Sequence, residues 1–361
     1  MSKDFDYAHS NKNVVWMSQN TNHLHTHEAI QEAIKKSADN REYTKYPLAS
    51  GLPELRQLIL EDLKLPEQDL HITNGGTEAL YCLMRHIQPK GSEMITSDPS
   101  YFVIHKFAKL GGAKCTDIPI YSKNYRFEIE DIKEAINSKT KSIFFIDPIN
   151  PLGSTYPESE KRAVCEVAED HKLWLIDDIT YRDFATNHVL AADILPEKTI
   201  TAYSVSKNCG LAGMRVGSLV GPKDFIAGIR GTMVSDLGIN VVGQRAASAA
   251  LKTKPEWLPG LLETARRNQE IIKKTVDKIP GAFLPVYPSA ASMMIIDISE
   301  HNANPQDVQD KLLYEHDIFV RAGNYVSARF GENFIRVSFS IPTEEVKRFA
   351  EAFPKVMQEL S

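Results

Sequence analysis

Between positions 70 and 220, short β-branched and aromatic runs alternate with stretches of helical period, the pattern of repeated βαβ units around a parallel sheet. The runs predict strands at 71–73, 93–97, 113–118, 142–147, 173–178, 200–204 and 216–220. Those as apolar as Ile143-Phe144-Phe145-Ile146 leave no face for water and predict central strands. The stretches at 77–86, 100–110, 129–136, 158–170 and 223–230 are amphipathic, so they predict helices laid over the faces of the sheet. Beyond Asn240 the character changes to longer helices, with a helical pattern at 256–279, strands near 293–298, 318–321 and 335–339, and a further helix at 343–360. The predicted fold class is α/β: a mostly parallel central sheet flanked by helices, followed by a smaller α+β domain.

A length of 361 residues, at roughly 150 per domain, agrees with two domains. Hydrophobic residues at 42% and charged residues at 25% exclude a disordered or fibrous chain. Lys and Arg number 42 against 47 Asp and Glu, and the resulting net charge of −5 offers no field to hold nucleic acid. No apolar run approaches the roughly 20 residues that cross a bilayer, and the first residues lack the apolar stretch of a signal peptide. A cytoplasmic protein is expected. Cys82, Cys115, Cys165 and Cys209 are scattered, with no spacing that suits a metal or a redox pair. His23, His25 and His27 alternate, but with no ligand set around them they are read as lining a cleft or surface, and no metal is expected.

Four segments carry candidate chemistry at predicted strand ends. Ser204-Val205-Ser206-Lys207 opens a glycine-bearing loop that reaches Arg215, where an amine can form a Schiff base and the hydroxyls and arginine can hold a phosphate. The same four residues also read as the S-x-x-K motif of penicillin-recognising enzymes, but Lys252-Thr253-Lys254 does not supply the K-T-G companion. Thr73-Asn74-Gly75-Gly76-Thr77 turns a strand into a helix, a candidate anion cradle that is neither a Walker loop nor a dinucleotide fingerprint. Asp177-Asp178 ends a strand where open α/β sheets bind ligands, and a buried carboxylate there needs a cation. Asp147-Pro148-Ile149-Asn150 ends another and aims the Asn150 amide at the same crevice.

In chain order, Tyr46-Pro47 with Gly51 and Leu55-Arg56, Gly75-Gly76-Thr77-Glu78-Ala79-Leu80, Asp98-Pro99 with Tyr101, Asn150-Pro151 with Gly153, Asp178 with Tyr181, Ser204 with Ser206-Lys207 and Arg215, and Phe334-Ile335-Arg336-Val337-Ser338 resemble one family over nearly the whole chain. That family is the class I/II aminotransferases, pyridoxal 5'-phosphate enzymes of fold type I. The resemblance implies a large cofactor-binding domain at 46–245, a small domain at 246–361 and an N-terminal segment, 1–45, joined to the small one. It implies that an amino group moves between an L-amino acid donor and a 2-oxo acid acceptor, with Lys207 as Schiff-base lysine and proton carrier. Asp178 would pair with the pyridinium nitrogen, Asn150 and Tyr181 would bond the ring's phenolate oxygen, and Tyr101 would stack on the ring. Gly76, Thr77, Ser204, Ser206 and Arg215 would bind the phosphate, with Tyr46 reaching the phosphate of a neighbouring subunit, so that a homodimer with shared active sites is expected. Arg336 would clamp the substrate carboxylate, beside Asn150 and Asn20. Asp178 rather than Asp177 is taken as the ring partner, because the family separates that carboxylate from its tyrosine by two residues and alternation turns Asp177 to the other face.

The Leu211-Ala212-Gly213-Met214-Arg215 and Tyr181-Arg182-Asp183-Phe184 phrases are also similar to the histidinol-phosphate aminotransferase branch, so histidinol-phosphate transamination stands second and decarboxylation of a phospho-amino acid third. A DNA-binding regulator built on the same domain is set aside, since too few residues precede the first predicted helix to hold a helix-turn-helix. For a second substrate anion, Arg41, Lys45, Arg321 and Arg329 are all conceivable cations.

Overall fold

In the computed structural model, which describes residues 3–121, 123–233 and 237–360, strand β1 (Val15–Trp16) precedes β2 (Asp69–Thr73), β3 (Glu93–Asp98), β4 (Lys114–Pro119), β5 (Thr140–Ile146), β6 (Trp174–Asp178), β7 (Thr199–Ser204) and β8 (Gly217–Gly221). Later come β9 (Met293–Asp297), β10 (Ile318–Phe319), β11 (Arg321–Ala322) and β12 (Phe334–Ser338). Strands β2 to β8 form one sheet in the order β2-β8-β7-β6-β5-β3-β4. The pairs from β4 through β3, β5 and β6 to β7 are parallel. Parallel neighbours need a crossover, and the helices Val103–Leu110, Ile129–Ala135, Glu158–Asp170 and Ala191–Ile194 lie in those connections. Between β7 and β8 the loop 205–216 holds only a short 3-10 turn, Ala212–Met214, and β8 returns antiparallel to both β7 and β2. The strand predicted at 216–220 is therefore present but reversed, and the loop that makes the return carries Lys207.

Burial follows the pattern: Ile143 and Phe144 on β5 are fully enclosed, while β2 and β4 form the edges. The carboxyl ends of β3, β5, β6 and β7 open on one side of the sheet, where α/β sheets hold ligands.

Strands β11, β12 and β9 form a separate antiparallel sheet. The helices Lys254–Val276, Pro305–His316 and Thr343–Leu360 pack on it around Met294, Ile296, Val337, Phe349 and Phe353. The N-terminal segment is stitched to this part of the chain, since β1 pairs in parallel with β10, Val15 opposite Ile318 and Trp16 opposite Phe319.

The hydrophobic pattern leaves several helices unread. Lys3–Ser10 precedes Glu28–Asp39, so a helix stands ahead of the one expected to be first. Pro53–Leu63, Val241–Lys252 and Pro305–His316 are also additions; in the last, the buried stripe is only Pro305, Val308, Gln309, Leu312 and Leu313, too mixed in polarity to stand out. The helix predicted at 256–279 starts earlier, at Lys254 with Pro255 in its first turn, and ends at Val276.

The loop after β5 is anchored by a buried charge cluster. Asp147 accepts hydrogen bonds from Thr155 Oγ1 at 2.7 Å and Tyr156 N at 3.2 Å, pairs with the enclosed Lys161 ammonium, and lies 3.0 Å from His188 Nε2. Burial alone would raise its pKa, but the His188 hydrogen bond and the Lys161 charge hold the carboxyl at about 2. Replacing Lys161 with methionine strands that carboxylate in the core. Lys161→Met is expected to cost about 3–5 kcal/mol of folding free energy, read by chemical denaturation.

Candidate active site

The turn from β2 into the helix Gly76–Ile87 leaves the first N–H groups of that helix without partners inside it, and the helix dipole makes them attractive to an anion. Gly75 has φ +80, and a Cβ there would lie 2.3 Å from Arg215 Nη2; the missing side chain lets the guanidinium cross the turn. Arg215 is itself pinned, donating from Nη1 to Ala212 O at 2.9 Å and from Nη2 to Asn74 O at 3.3 Å. Gly217 makes room from the other side, since a Cβ would meet Gly76 N at 2.5 Å. Ser204 and Ser206 come from the end of β7, and the Ser204 hydroxyl accepts from Ser206 N at 3.2 Å. Gly76, Thr77, Ser204, Ser206 and Arg215 line one end of a cavity of about 360 Å³.

Deeper in the same cavity, the Asp178 carboxylate accepts from Thr180 N at 3.1 Å and Thr180 Oγ1 at 2.5 Å, with no ion-pair partner within reach among the described residues. Burial raises its pKa to about 6, although the Thr180 hydrogen bonds and the Lys207 charge pull the other way. Asp177 faces elsewhere and accepts from Ala191 N at 3.0 Å, as strand alternation requires. The Lys207 amine donates to Gln19 O at 2.8 Å. Burial, with the charges of Arg336 and Arg215, lowers its pKa to about 8. Tyr101 lies across the cavity from the end of β3, its hydroxyl 3.4 Å from Thr77 Oγ1. Tyr181 OH accepts from Asn20 Nδ2 at 3.3 Å, and Asn20 is fixed in turn by two contacts to Ser338 Oγ, each at 2.9 Å.

Two arginines close the far end. Arg336 donates from Nη1 to Asn150 Oδ1 at 3.0 Å and from Nη2 to Ser18 O at 2.6 Å, while its buried Nε has no partner. The Asn150 carbonyl is thereby occupied, and its NH2 is left to the cavity. Arg336 stands directly opposite Arg321 in the β11–β12 ladder, which sets the two side chains on one face. Burial, with Arg321 adding to it, lowers the Arg336 pKa to about 10. Arg321 is only 7% exposed and makes no side-chain hydrogen bond or ion pair among the described residues. Like charges opposite one another in a ladder are destabilising on their own, so this pair calls for an anion.

Lys207, Asp178, Tyr181, Tyr101, Asn150, Asn20, Arg336 and the anion-cradle residues thus share one cavity. Tyr46 does not join them: it is 80% exposed, away from its own chain's site. Of the four conceivable second cations only Arg321 lines the cavity; Arg41, Lys45 and Arg329 are exposed. Phe5, Thr180 and Tyr325 also line it and carry no local motif that would have marked them. Two of the three histidines have separate partners: His23 Nε2 lies 2.7 Å from Thr21 Oγ1, and His27 Nδ1 accepts from Ala29 N to cap the helix Glu28–Asp39.

The sequence matches the family model for aminotransferase class I and II over residues 12–353. It is 25% identical to an aspartate aminotransferase of Pyrococcus horikoshii, covering 98% of this chain and 93% of the relative. It is 27% identical to histidinol-phosphate aminotransferase 1 of Mannheimia succiniciproducens, covering 96% and 90%. The fold superposes on an aspartate aminotransferase from Thermus thermophilus solved with maleate at a TM-score of 0.86, with 23% identity over 98% of this chain and 94% of that one.

The Asp178 environment has a consequence for stability. An exposed carboxyl in the unfolded chain titrates near about 3.9, below the folded value of about 6, so the folded chain holds the proton more tightly. Stability is lost as pH rises through that interval, and the full cost is present above pH 6. In the ligand-free chain, Asp178→Asn should therefore raise the unfolding free energy at pH 7 by on the order of 1–3 kcal/mol, with the gain gone below about pH 4 in parallel denaturant titrations.

Proposed function

Since the chain belongs to the class I and II aminotransferases and is a pyridoxal-phosphate-dependent enzyme of amino-group transfer, we propose that the cavity between Lys207, Asp178 and Arg336 is its active site. The single observation that carries this reading is that one cavity holds a half-buried amine, Lys207, and a buried carboxylate, Asp178, neither of which has a salt-bridge partner among the described residues. The residues fit the cofactor. Asp178 suits a protonated ring nitrogen, the Gly75-Gly76 turn, where a Cβ at Gly75 would push Arg215 away, suits a phosphate, and Tyr101 suits a ring face. When bound, the cofactor supplies a carbonyl for amine exchange and an electron-withdrawing ring.

The chain's own groups do the rest. Lys207 Nζ, with its pKa brought down to about 8, has a neutral fraction near pH 7 and can both attach to a carbonyl and carry the proton taken from the substrate Cα. Asp178, once given a cation, stays ionised and keeps that cation protonated. The Asn150 NH2 and Tyr181 OH, both of which line the cavity, are assigned as donors to the ring oxygen. Asn20 orients the Tyr181 hydroxyl.

On the substrate side, Arg336 is assigned to the α-carboxylate and Arg321 to a distal anionic group, so the preferred donor is a dicarboxylic L-amino acid and the acceptor a 2-oxo acid. The cross-strand pairing of the two arginines supports this choice. It also favours one alternative, histidinol phosphate, because two adjacent guanidiniums suit a single phosphate. The assembly we propose is a homodimer in which Tyr46, with the exposed Tyr43 and Leu48 near it, meets the partner subunit. The large domain is read as 46–245; the pairing of β1 with β10 supports joining the start of 1–45 to 246–361, whereas Ile30 of the helix Glu28–Asp39 packs with Leu55, Ile59 and Leu70 of the large domain. No helix among the described residues is long and apolar enough to cross a membrane; residence in the cytoplasm is part of the proposal.

Borohydride reduction of the cofactor-loaded protein, followed by peptide mapping, should fix the cofactor at Lys207; attachment at another lysine overturns the assignment. In single-turnover half-reactions against L-aspartate, L-glutamate, L-alanine and histidinol phosphate, the dicarboxylic donors should react at the lowest concentrations. Arg336→Ala should lower kcat/KM by about 2–5 kcal/mol of transition-state stabilisation while the cofactor is retained, and Arg215→Ala should weaken cofactor retention instead.

A further inference from the structure

Arg321 is a buried cation without an acidic partner among the described residues, yet its side chain is kept in the cavity rather than released to water. Three aromatic rings account for this: its guanidinium carbon lies 4.1 Å from the Tyr325 ring centroid, 4.8 Å from Phe5 and 5.1 Å from Phe319. Such rings attract the cation through their faces while leaving N–H groups for a planar anion. Two of the three come from segments next to Arg321 in the chain. Phe5 does not; it belongs to the N-terminal helix Lys3–Ser10.

That helix is tied to the strand carrying Arg321 by buried polar contacts. Asp4 is 6% exposed, and its carboxylate accepts from Tyr314 OH at 2.7 Å and Gln309 Nε2 at 3.3 Å. The other end of the same Gln309 amide, Oε1, accepts from Ala322 N at 2.9 Å, one residue from Arg321. A second tie joins Tyr7 OH and Asn11 Nδ2 to Asp317 Oδ1, at 2.9 and 2.6 Å, just before β10. Phe5 meanwhile packs edge-on against Phe319, centroids 5.3 Å apart, and faces the cavity. Charge-bearing contacts of this kind on a short terminal helix set its position on the strand, and with it the position of one ring.

We propose that the N-terminal helix is a substrate-selectivity element, with Phe5 a positioning residue that holds the Arg321 guanidinium toward the distal anionic group of the amino donor. This rests on the assignment of Arg321 to that group. Among the described residues, the one cation stacked over the Phe5 ring is Arg321, and neither Lys207 nor Arg336 is, so donors without a distal anion should not depend on it.

The test uses the cofactor-loaded enzyme and compares Phe5→Ala, Phe5→Leu, Phe5→Tyr, Arg321→Ala and the Phe5→Ala/Arg321→Ala double variant. Half-reaction KM and kcat are measured for L-aspartate and for L-alanine, and binding of succinate, an unreactive dicarboxylate, is measured by calorimetry. Phe5→Ala and Phe5→Leu should raise the L-aspartate KM and the succinate Kd about three- to tenfold, the scale of one desolvated cation–π contact, with kcat and the L-alanine KM within about twofold. Phe5→Tyr should restore the parent values. In the Arg321→Ala background, Phe5→Ala should add nothing. Phe5→Leu preserves the apolar packing, so the comparison survives if Phe5→Ala unfolds. Equal effects on both donors, or additive effects in the double variant, overturn the role of Phe5. An Arg321→Ala enzyme that loses the preference for L-aspartate while both Phe5 variants keep it overturns that role alone. Arg321→Ala leaving the preference unchanged takes down the distal-site assignment and this inference with it.

Discussion

The site is organised around charge taken out of water with no protein partner to neutralise it. Arg336 and Arg321 are buried around one cavity, Lys207 is half-buried in it, Arg215 crosses its rim, and Asp178 is the carboxylate set against them. In a chain whose overall charge is −5, this is a local surplus of positive charge in a medium where each charge is expensive. The surplus is tolerable only when an anionic molecule fills the space. In the proposed assignment, a cofactor phosphate and an acidic donor would answer different members of the set.

The backbone makes this possible by geometry rather than by strong bonds. Parallel strands deliver Tyr101, Asn150 and Asp178 to the same edge of the sheet, each at the start of a connection long enough to vary. The reversal at β8 does something the parallel steps cannot. It brings the loop bearing Lys207 and Arg215 back over the sheet end, and it sets Gly217 against the Gly75-Gly76 turn from the neighbouring strand. The smaller sheet supplies the opposite wall, with Arg336 and Arg321 held side by side by the β11–β12 ladder.

What could be read in the sequence follows from this division. Lys207, Asp178, Asn150 and Gly76 sit at ends of apolar runs whose period is visible locally, so their convergence is implied by the fold class. Arg321 is different: in the sequence it is one of four comparable cations, and only its register opposite Arg336 distinguishes it. Phe5 was invisible for the same reason, since its helix is short, largely polar and defined by contacts to Gln309, Tyr314 and Asp317 far along the chain. The reversed sense of β8 is not legible in the strand itself, because a strand's own residues do not encode its direction; the missing crossover helix does. Tyr46 is on the surface, and no contact within its own chain marks a task for it among the described residues.

The pairing of β1 with β10 bears on the order in which the molecule can form. Val15 and Trp16 are near the start of the chain, and the backbone they bond to, at Ile318 and Phe319, is near its end. The segment after β1 supplies Gln19, whose carbonyl holds the Lys207 amine, and Asn22, whose N–H donates to Lys207 O. A polypeptide made from its amino end has no partner strand for β1 until synthesis has passed Phe319. The wall over Lys207 is consequently among the last parts to close, and long-range contacts of this kind form slowly. Until then the early segment must be kept from pairing elsewhere, which makes biosynthesis, rather than the finished fold, the stage at which this architecture is most exposed to error.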